Sequence, residues 1–200
     1  MLQTHVGTAA GASPLSGTIA EYVWLLPILP LIGFVINGLL SLFTAYRAGP
    51  TDPSAGHGDG DHGDAHASQH DDHHTVTRHR FAGVVTIVGP LVLLASFVLA
   101  VAIYLAMPAE MPAPFVKTFF SWMPVGSELP LRWAFQLDQL SMVMVLVITG
   151  VGTLIHIFSV GYMQDDPGYP RYFAYLNLFV AFMLVLVLGA SYPVLFVGWE

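Results

Sequence analysis

The residues that could do chemistry are polar side chains inside apolar stretches. Asp138 and His156 are eighteen positions apart, which is five helical turns, and Thr149 falls close to the same line. In hydrocarbon such a stripe must face protein or water. Two interpretations stay open. The stripe borders a proton-conducting cavity, or it packs against other helices, with Asp138 as a helix N-cap and His156 paired near the other end.

Glu200 is the other candidate, at the end of "SYPVLFVGWE", residues 191–200. Pro193 is a favourable first residue of a helix because its missing N–H is not needed there. Eight helical residues reach about 12 Å, so Glu200 would approach the middle of the hydrocarbon, where a charge costs at least a few kcal/mol unless it is paired or hydrated. We expect a fifth span that has begun and is cut, which makes the 200 residues the N-terminal part of a longer chain.

The elements that must position these residues are apolar helices. The chain is 55% hydrophobic and 10% charged, against roughly 25% charged in globular domains. Four stretches reach the roughly 20 residues that a bilayer requires, and a fifth begins. They are residues 19–43, 81–107, 137–163 and 172–189, followed by the start at 193–200. The sequence predicts an all-α integral membrane protein, a polytopic helix bundle with four complete transmembrane helices and the start of a fifth. A signal peptide is excluded because residues 1–18 contain no Lys or Arg and because the apolar stretch at residues 19–43 is longer than the apolar region of a signal peptide.

The connecting segments differ in composition. Residues 44–80 contain seven histidines and six aspartates, a composition that cannot bury a core and predicts a disordered loop. We interpret it as a solvated, at most weakly metal-binding linker; the alternative is a dedicated site for zinc, nickel or copper. Residues 108–136 are expected to form an outer-side loop or hairpin, and residues 164–171 a short cytoplasmic loop. Four of the six basic residues lie in the first and third loops, which predicts that the N-terminal tail, residues 1–18, is outside.

Composition also excludes several functions. The chain has no cysteine, so disulfides, thiolate metal sites and cysteine-ligated iron–sulfur clusters are ruled out. No basic patch indicates nucleic acid, and no glycine-rich loop resembles a dinucleotide site. Any redox chemistry is therefore expected in a partner.

The second half of the chain carries a resemblance. The runs "TGVGTLIHIFSVGYM", "DPGYPRYFAYLNLF" and "LFVGWE", within residues 137–200, resemble the start of subunit L. This is the large antiporter-like membrane subunit of proton-translocating NADH-quinone oxidoreductase, respiratory complex I. Residues 115–136 are similar more loosely, and the first two helices only in hydropathy. The His-rich segment stands where the family has a short loop.

The resemblance implies a function and a set of partners. The family has many transmembrane helices, in two inverted repeats of five, and the glutamate of its "GWE" run maps onto Glu200. In the family this glutamate transfers protons together with a lysine on a broken helix. These 200 residues contain no such lysine, because their only lysine, Lys117, lies in the loop between the second and third helices. The resemblance implies a non-redox subunit that exports protons across the inner (plasma) membrane. It implies no cofactor in this chain, with NADH, FMN, iron–sulfur clusters and quinone in partner subunits. The expected partners are other membrane-arm subunits and the lipid bilayer.

Two alternatives remain open at this point. The large subunit of a multisubunit sodium/proton antiporter, or the related subunit of an energy-converting hydrogenase, resembles the same region. A divalent-metal transporter that collects ions with its His-rich loop is a distant possibility. Against it, Asp138 and His156 lie about 27 Å apart along one helix, too far to share an ion.

Overall fold

The computed structural model describes residues 15, 17–45, 81–108, 111, 113–125, 129–163, 166 and 168–200. Its elements are a 3-10 turn at Ile19–Tyr22, helices α1 (Leu25–Ala45) and α2 (Ala82–Ala106), strands β1 (Phe115–Val125) and β2 (Leu129–Leu137), and helices α3 (Gln139–Tyr162), α4 (Tyr169–Leu188) and α5 (Tyr192–Trp199). Among the described residues, four helices are long and apolar enough to cross a membrane. The predicted fold class, a polytopic helical membrane protein, is therefore confirmed. Of the disordered His-rich loop predicted at residues 44–80, residues 44 and 45 belong to the end of α1, and residues 46–80 lie outside the described residues.

The starts of α4 and α5 follow from proline chemistry. Pro170 and Pro193 each lie in the first turn of their helix, where an N–H has no intrahelical acceptor and its loss costs nothing. As a result α4 begins at Tyr169, three residues before the predicted start at 172. Helix α5 begins at Tyr192, one residue before the predicted start.

Helix α1 has a proline in its interior, and α2 compensates for it. Pro30 has no N–H to donate to the carbonyl of Leu26, four residues earlier. The buried hydroxyl of Ser96, on α2, donates to that carbonyl oxygen at 3.1 Å. This hydrogen bond satisfies a backbone group that neither water nor lipid could satisfy inside a membrane, and it fixes α1 against α2.

Glycines allow α4 to pack closely at the centre of the bundle, where it contacts α1, α2, α3 and α5. A Cβ added at Gly33 would lie 2.6 Å from Val92 Cγ2 and 3.1 Å from the side-chain Cγ of Asn177. A Cβ at Gly89 would lie 2.6 Å from the ring of Phe173. Small residues at these crossings bring the helix backbones together, as is usual between membrane helices.

The segment predicted as an outer loop or hairpin contains an antiparallel hairpin. Strands β1 and β2 pair from Phe115 with Leu137 to Val125 with Leu129. Among the described residues, an ion pair and a backbone hydrogen bond help to join the hairpin to the rest of the chain. Lys117 Nζ lies 3.5 Å from a carboxylate oxygen of Glu21, and the backbone N–H of Ala190, after α4, donates to a β2 carbonyl at 3.0 Å. The hairpin therefore connects the start of the chain's first span to the corner between α4 and α5.

Candidate functional site

Helix α3 has its polar side inside the protein and its apolar side outside. The residues buried on this helix recur every three or four positions: Met142, Val145, Thr149, Thr153, His156 and Ser159. In contrast, Leu154 and Phe158 are 66% and 68% exposed. This arrangement is the reverse of a helix in a water-soluble protein, and it suits a helix whose outer side contacts lipid.

Asp138 caps the first turn of α3. Its carboxylate accepts a hydrogen bond from the backbone N–H of Ser141 at 2.6 Å, and the Ser141 hydroxyl oxygen accepts one from the N–H of Asp138 at 2.9 Å. The two residues thus form a reciprocal capping box. The Ser141 N–H holds the pKa of the Asp138 carboxyl below its ordinary value, against a smaller opposite effect of burial. A carboxylate held in this way starts the helix.

The buried threonines of α3 bond to their own helix. The Thr149 hydroxyl donates to the carbonyl of Val145 at 2.7 Å, and the Thr153 hydroxyl donates to the carbonyl of Thr149 at 2.7 Å. Such bonds to the preceding turn satisfy a hydroxyl without any neighbouring helix. In this arrangement the hydroxyl hydrogen of Thr149 is engaged in a hydrogen bond to the backbone of its own helix.

His156 is fully buried, and one of its ring nitrogens has no hydrogen-bond partner. Nδ1 lies 2.8 Å from the carbonyl oxygen of Gly152, and the ring packs against Phe173 with centroids 5.9 Å apart. Because a carbonyl can only accept, Nδ1 carries the hydrogen in this contact. Nε2 is buried and has no partner among the described residues. His156 is therefore only half satisfied.

Two asparagines complete a buried polar region. Asn177 and Asn37 are both 0% exposed. The Asn177 amide donates from Nδ2 to the carbonyl of Phe173 at 2.9 Å, while its Oδ1 has no hydrogen bond that meets ordinary length and angle criteria with any described residue. Neither side-chain atom of Asn37 has one in the described part of the chain. Sequence reasoning did not select Asn177; the available signal was a single amide within the apolar stretch of α4 that follows Tyr175.

Glu200 lies at the end of α5, with an exposed side chain. Its backbone N–H donates to the carbonyl of Phe196 at 3.1 Å. Its carboxylate has neither an ion pair nor a hydrogen bond to any residue that the structure describes. Helix α5 is positioned by Gly198, where an added Cβ would lie 2.5 Å from the backbone nitrogen of Leu186. The close crossing of α5 on α4 therefore determines where the carboxylate lies.

The four candidates do not form one cluster. Asp138 and His156 lie near opposite ends of α3, Thr149 lies between them, and Glu200 is on another helix. Within the described residues no group of three His, Asp or Glu could hold a metal ion. The His-rich segment, on which the metal interpretation depends, is not among those residues.

Comparison with known proteins gives this geometry a context. Residues 122–173 match the family described as NADH-Ubiquinone oxidoreductase (complex I), chain 5 N-terminus. The match includes the three candidates on α3 and ends before Glu200.

Individual relatives agree with the family match. NADH-quinone oxidoreductase subunit L of Mycobacterium tuberculosis is 57% identical over 81 residues, which are 40% of this chain and 13% of the relative. NADH-ubiquinone oxidoreductase chain 5 of Allomyces macrogynus is 50% identical over 68 residues, 34% of this chain and 11% of the relative. Subunit L of Buchnera aphidicola from Schizaphis graminum is 46% identical over 86 residues, which are 43% of this chain and 14% of the relative. The matched part thus spans only about an eighth of these relatives' length. The resemblance inferred from the motifs is confirmed: over the matched residues this chain is similar to complex I subunit L, or chain 5.

Proposed function

We propose that this chain acts as a proton-translocating membrane subunit of an NADH-quinone oxidoreductase. The observation that carries the proposal is the 57% identity over 81 residues to a protein named as subunit L of that enzyme. The structure supports it with apolar helices that have polar groups on their buried sides, as polar residues within a membrane require.

The chain itself takes the non-redox part of the reaction. Quinone reduction takes place elsewhere in the complex, and NADH, FMN, the iron–sulfur clusters and quinone are bound by partner subunits. The absence of cysteine from the sequence supports this division, because cluster ligation requires thiolates. Other membrane-arm subunits and lipid are the partners. The chain crosses the inner (plasma) membrane several times with its N-terminus outside, which places the β1–β2 hairpin on the outer side.

Glu200 is the proton-transferring carboxylate in this proposal. It lies about 12 Å along α5 from the start of that helix, far enough to leave the membrane surface. Asp138 and Thr149 contribute to the structure of α3 through their bonds to its backbone. His156 is the α3 candidate whose Nε2 is buried without a hydrogen bond of ordinary geometry to a described residue.

The test is deletion of the gene, followed by transport assays on inverted membrane vesicles. We expect NADH-driven proton uptake to fall strongly and to return when the wild-type gene is supplied. Unchanged NADH-driven uptake, together with lost sodium/proton exchange, would contradict the proposal and identify an antiporter subunit. Unchanged uptake with loss of hydrogen-dependent transport would contradict it in favour of a hydrogenase.

A further inference from the structure

A groove of about 380 Å³ lies between α1 and α4, and we refer to it as the α1–α4 groove. Its α1 side is apolar and consists of Phe34, Val35, Gly38, Leu39 and Leu42. The groove opens away from the bundle, since Val35 and Leu39 are 48% and 49% exposed. Its volume falls in the range of about 300–1,000 Å³ that is usual for small-molecule sites.

The two helices run in opposite directions past this groove. Near the middle of α1, Gly33 lies against the side chain of Asn177 on α4, while further along α1 Leu40 packs on the cluster that contains Tyr169, the first residue of α4. The end of α1 therefore lies beside the start of α4, where Arg171 lines the groove.

The polar groups of the groove lie together at this end. Arg171 is in the first turn of α4, Tyr175 follows it one turn later, and Ser41 is near the end of α1. From Leu42 back to Phe34 the α1 side of the groove extends over eight residues, about 12 Å along the helix. The α1–α4 groove is thus charged at its mouth and apolar along its depth.

The charge at the mouth is positive. The Arg171 side chain is exposed, and within the described part of the chain it has no ion pair. The first turn of α4 contains no acidic residue, although its N–H groups form the positive end of the helix dipole. Asp166, three residues before α4, accepts a hydrogen bond from the Gly168 N–H. The guanidinium and the helix end therefore both attract an anion to this mouth.

We propose that the α1–α4 groove binds an anionic phospholipid, with its phosphate at Arg171 and an acyl chain along α1. A guanidinium donates paired hydrogen bonds to a phosphate, and the apolar depth accepts the chain. A free phosphate ion would leave that depth unfilled. In the orientation predicted from the basic residues, the mouth faces the cytoplasm, the side on which basic pockets between membrane helices bind anionic headgroups. The proposal requires only that the chain spans a membrane, and it does not depend on proton transport.

The test is photolabelling of the full-length protein in its native complex, reconstituted in phosphatidylcholine vesicles. One set of vesicles contains phosphatidylglycerol with a photoreactive group in its acyl chain, and the other contains phosphatidylcholine with the same group. Labelled peptides are identified by mass spectrometry. We expect the anionic probe to label the α1 residues of the groove several-fold more strongly than the neutral probe does.

Variants separate the charge from the apolar depth. Arg171→Gln should lower labelling by the anionic probe about fivefold, the contribution of one basic residue near an anionic headgroup, and Arg171→Lys should restore most of it. The control is Arg132→Gln, which removes an exposed arginine on β2 that does not line the groove and should leave labelling unchanged. Gly38→Leu fills the groove while Arg171 stays in place, so labelling by both probes should fall. An added Cβ at Gly38 meets only ordinary contact, 3.8 Å from Phe34, so this variant is compatible with the fold.

Two results would overturn the proposal. Equal labelling by the two probes would show that the charge at the mouth selects no headgroup. Absence of label from the groove would show that protein covers it, either a later helix of the chain or another subunit. If a variant complex does not assemble, the comparison of the two probes on the wild-type complex decides the question.

Discussion

The hydrogen bond from Ser96 to Leu26 provides a test of how the bundle is held together. Ser96→Ala removes a donor that lies 3.1 Å from a buried carbonyl oxygen, which has no helical N–H because Pro30 lies four residues later. Loss of the bond leaves the oxygen unsatisfied in an apolar interior. A neutral bond between membrane helices is worth on average about 0.6 kcal/mol, and an orphaned buried acceptor costs about 1–3 kcal/mol. We expect the free energy of unfolding to fall by roughly 1–2 kcal/mol.

The double variant makes the prediction specific. In Pro30→Ala, residue 30 regains an N–H that can donate to the Leu26 carbonyl within α1. The carbonyl then has a second donor, so adding Ser96→Ala should cost less than half of what it costs in the wild-type background. Unfolding is followed by tryptophan fluorescence as SDS is added to the detergent-solubilised protein, and the double-mutant cycle gives the coupling energy between the two positions.

Thr153→Val is the matched control for Ser96→Ala. It also removes a buried hydroxyl, but the Thr149 carbonyl to which Thr153 donates keeps its ordinary place in the helix ladder. Its unfolding free energy should change by less than about 0.5 kcal/mol. The reasoning is refuted if Ser96→Ala is as mild as this control, or if its cost is the same with and without Pro30.

Two further predictions concern α5 and the start of α3. In Gly198→Ala the new Cβ must move by about 0.9 Å to reach ordinary contact with the Leu186 nitrogen, so we expect a displaced α5 and a destabilisation of roughly 1–3 kcal/mol in thermal unfolding. Gly161 has open space around it, so Gly161→Ala should be neutral or slightly stabilising. Equal effects of the two variants would contradict the packing of α5 on α4. Asp138→Ala should lose about 1 kcal/mol of stability and Asp138→Asn much less, since Asn also accepts from the Ser141 N–H. Because the folded-state pKa of Asp138 is lowered, the ionised carboxylate stabilises the folded protein fully above the ordinary carboxyl pKa, and this stabilisation is lost as pH falls through the lowered value. An Asp138→Asn variant that loses stability in acid as wild type does would argue against this.

Much of the helical architecture follows from composition, because a bilayer requires about 20 apolar residues in each span and the sequence provides four such stretches. Proline also marks helix starts well, as Pro193 does for α5. The hairpin was harder to define, since residues 115–137 lack strict alternation, and strand pairing depends on contacts with the bundle such as that between Lys117 and Glu21.

The site residues show where periodicity stops being informative. Angular position on a helix placed Thr149 and His156 on the buried side of α3, where the structure has them. It could not show which polar atoms are satisfied, because Thr149 bonds within its own helix while His156 depends on α4. Asn177 was missed for the same reason: its burial arises from packing against another helix, where its side chain lies against Gly33 of α1.

The most direct test of the central claim is proton pumping by a Glu200→Gln variant of the full-length protein in its native complex. Glu21→Gln is the control, because it makes the same chemical change at a carboxylate that pairs with Lys117 beside the hairpin. Both complexes are purified, assembly is verified, and NADH-driven acidification is measured in proteoliposomes. The account predicts strongly reduced pumping by Glu200→Gln and near wild-type pumping by Glu21→Gln. Full pumping by a correctly assembled Glu200→Gln complex would contradict it.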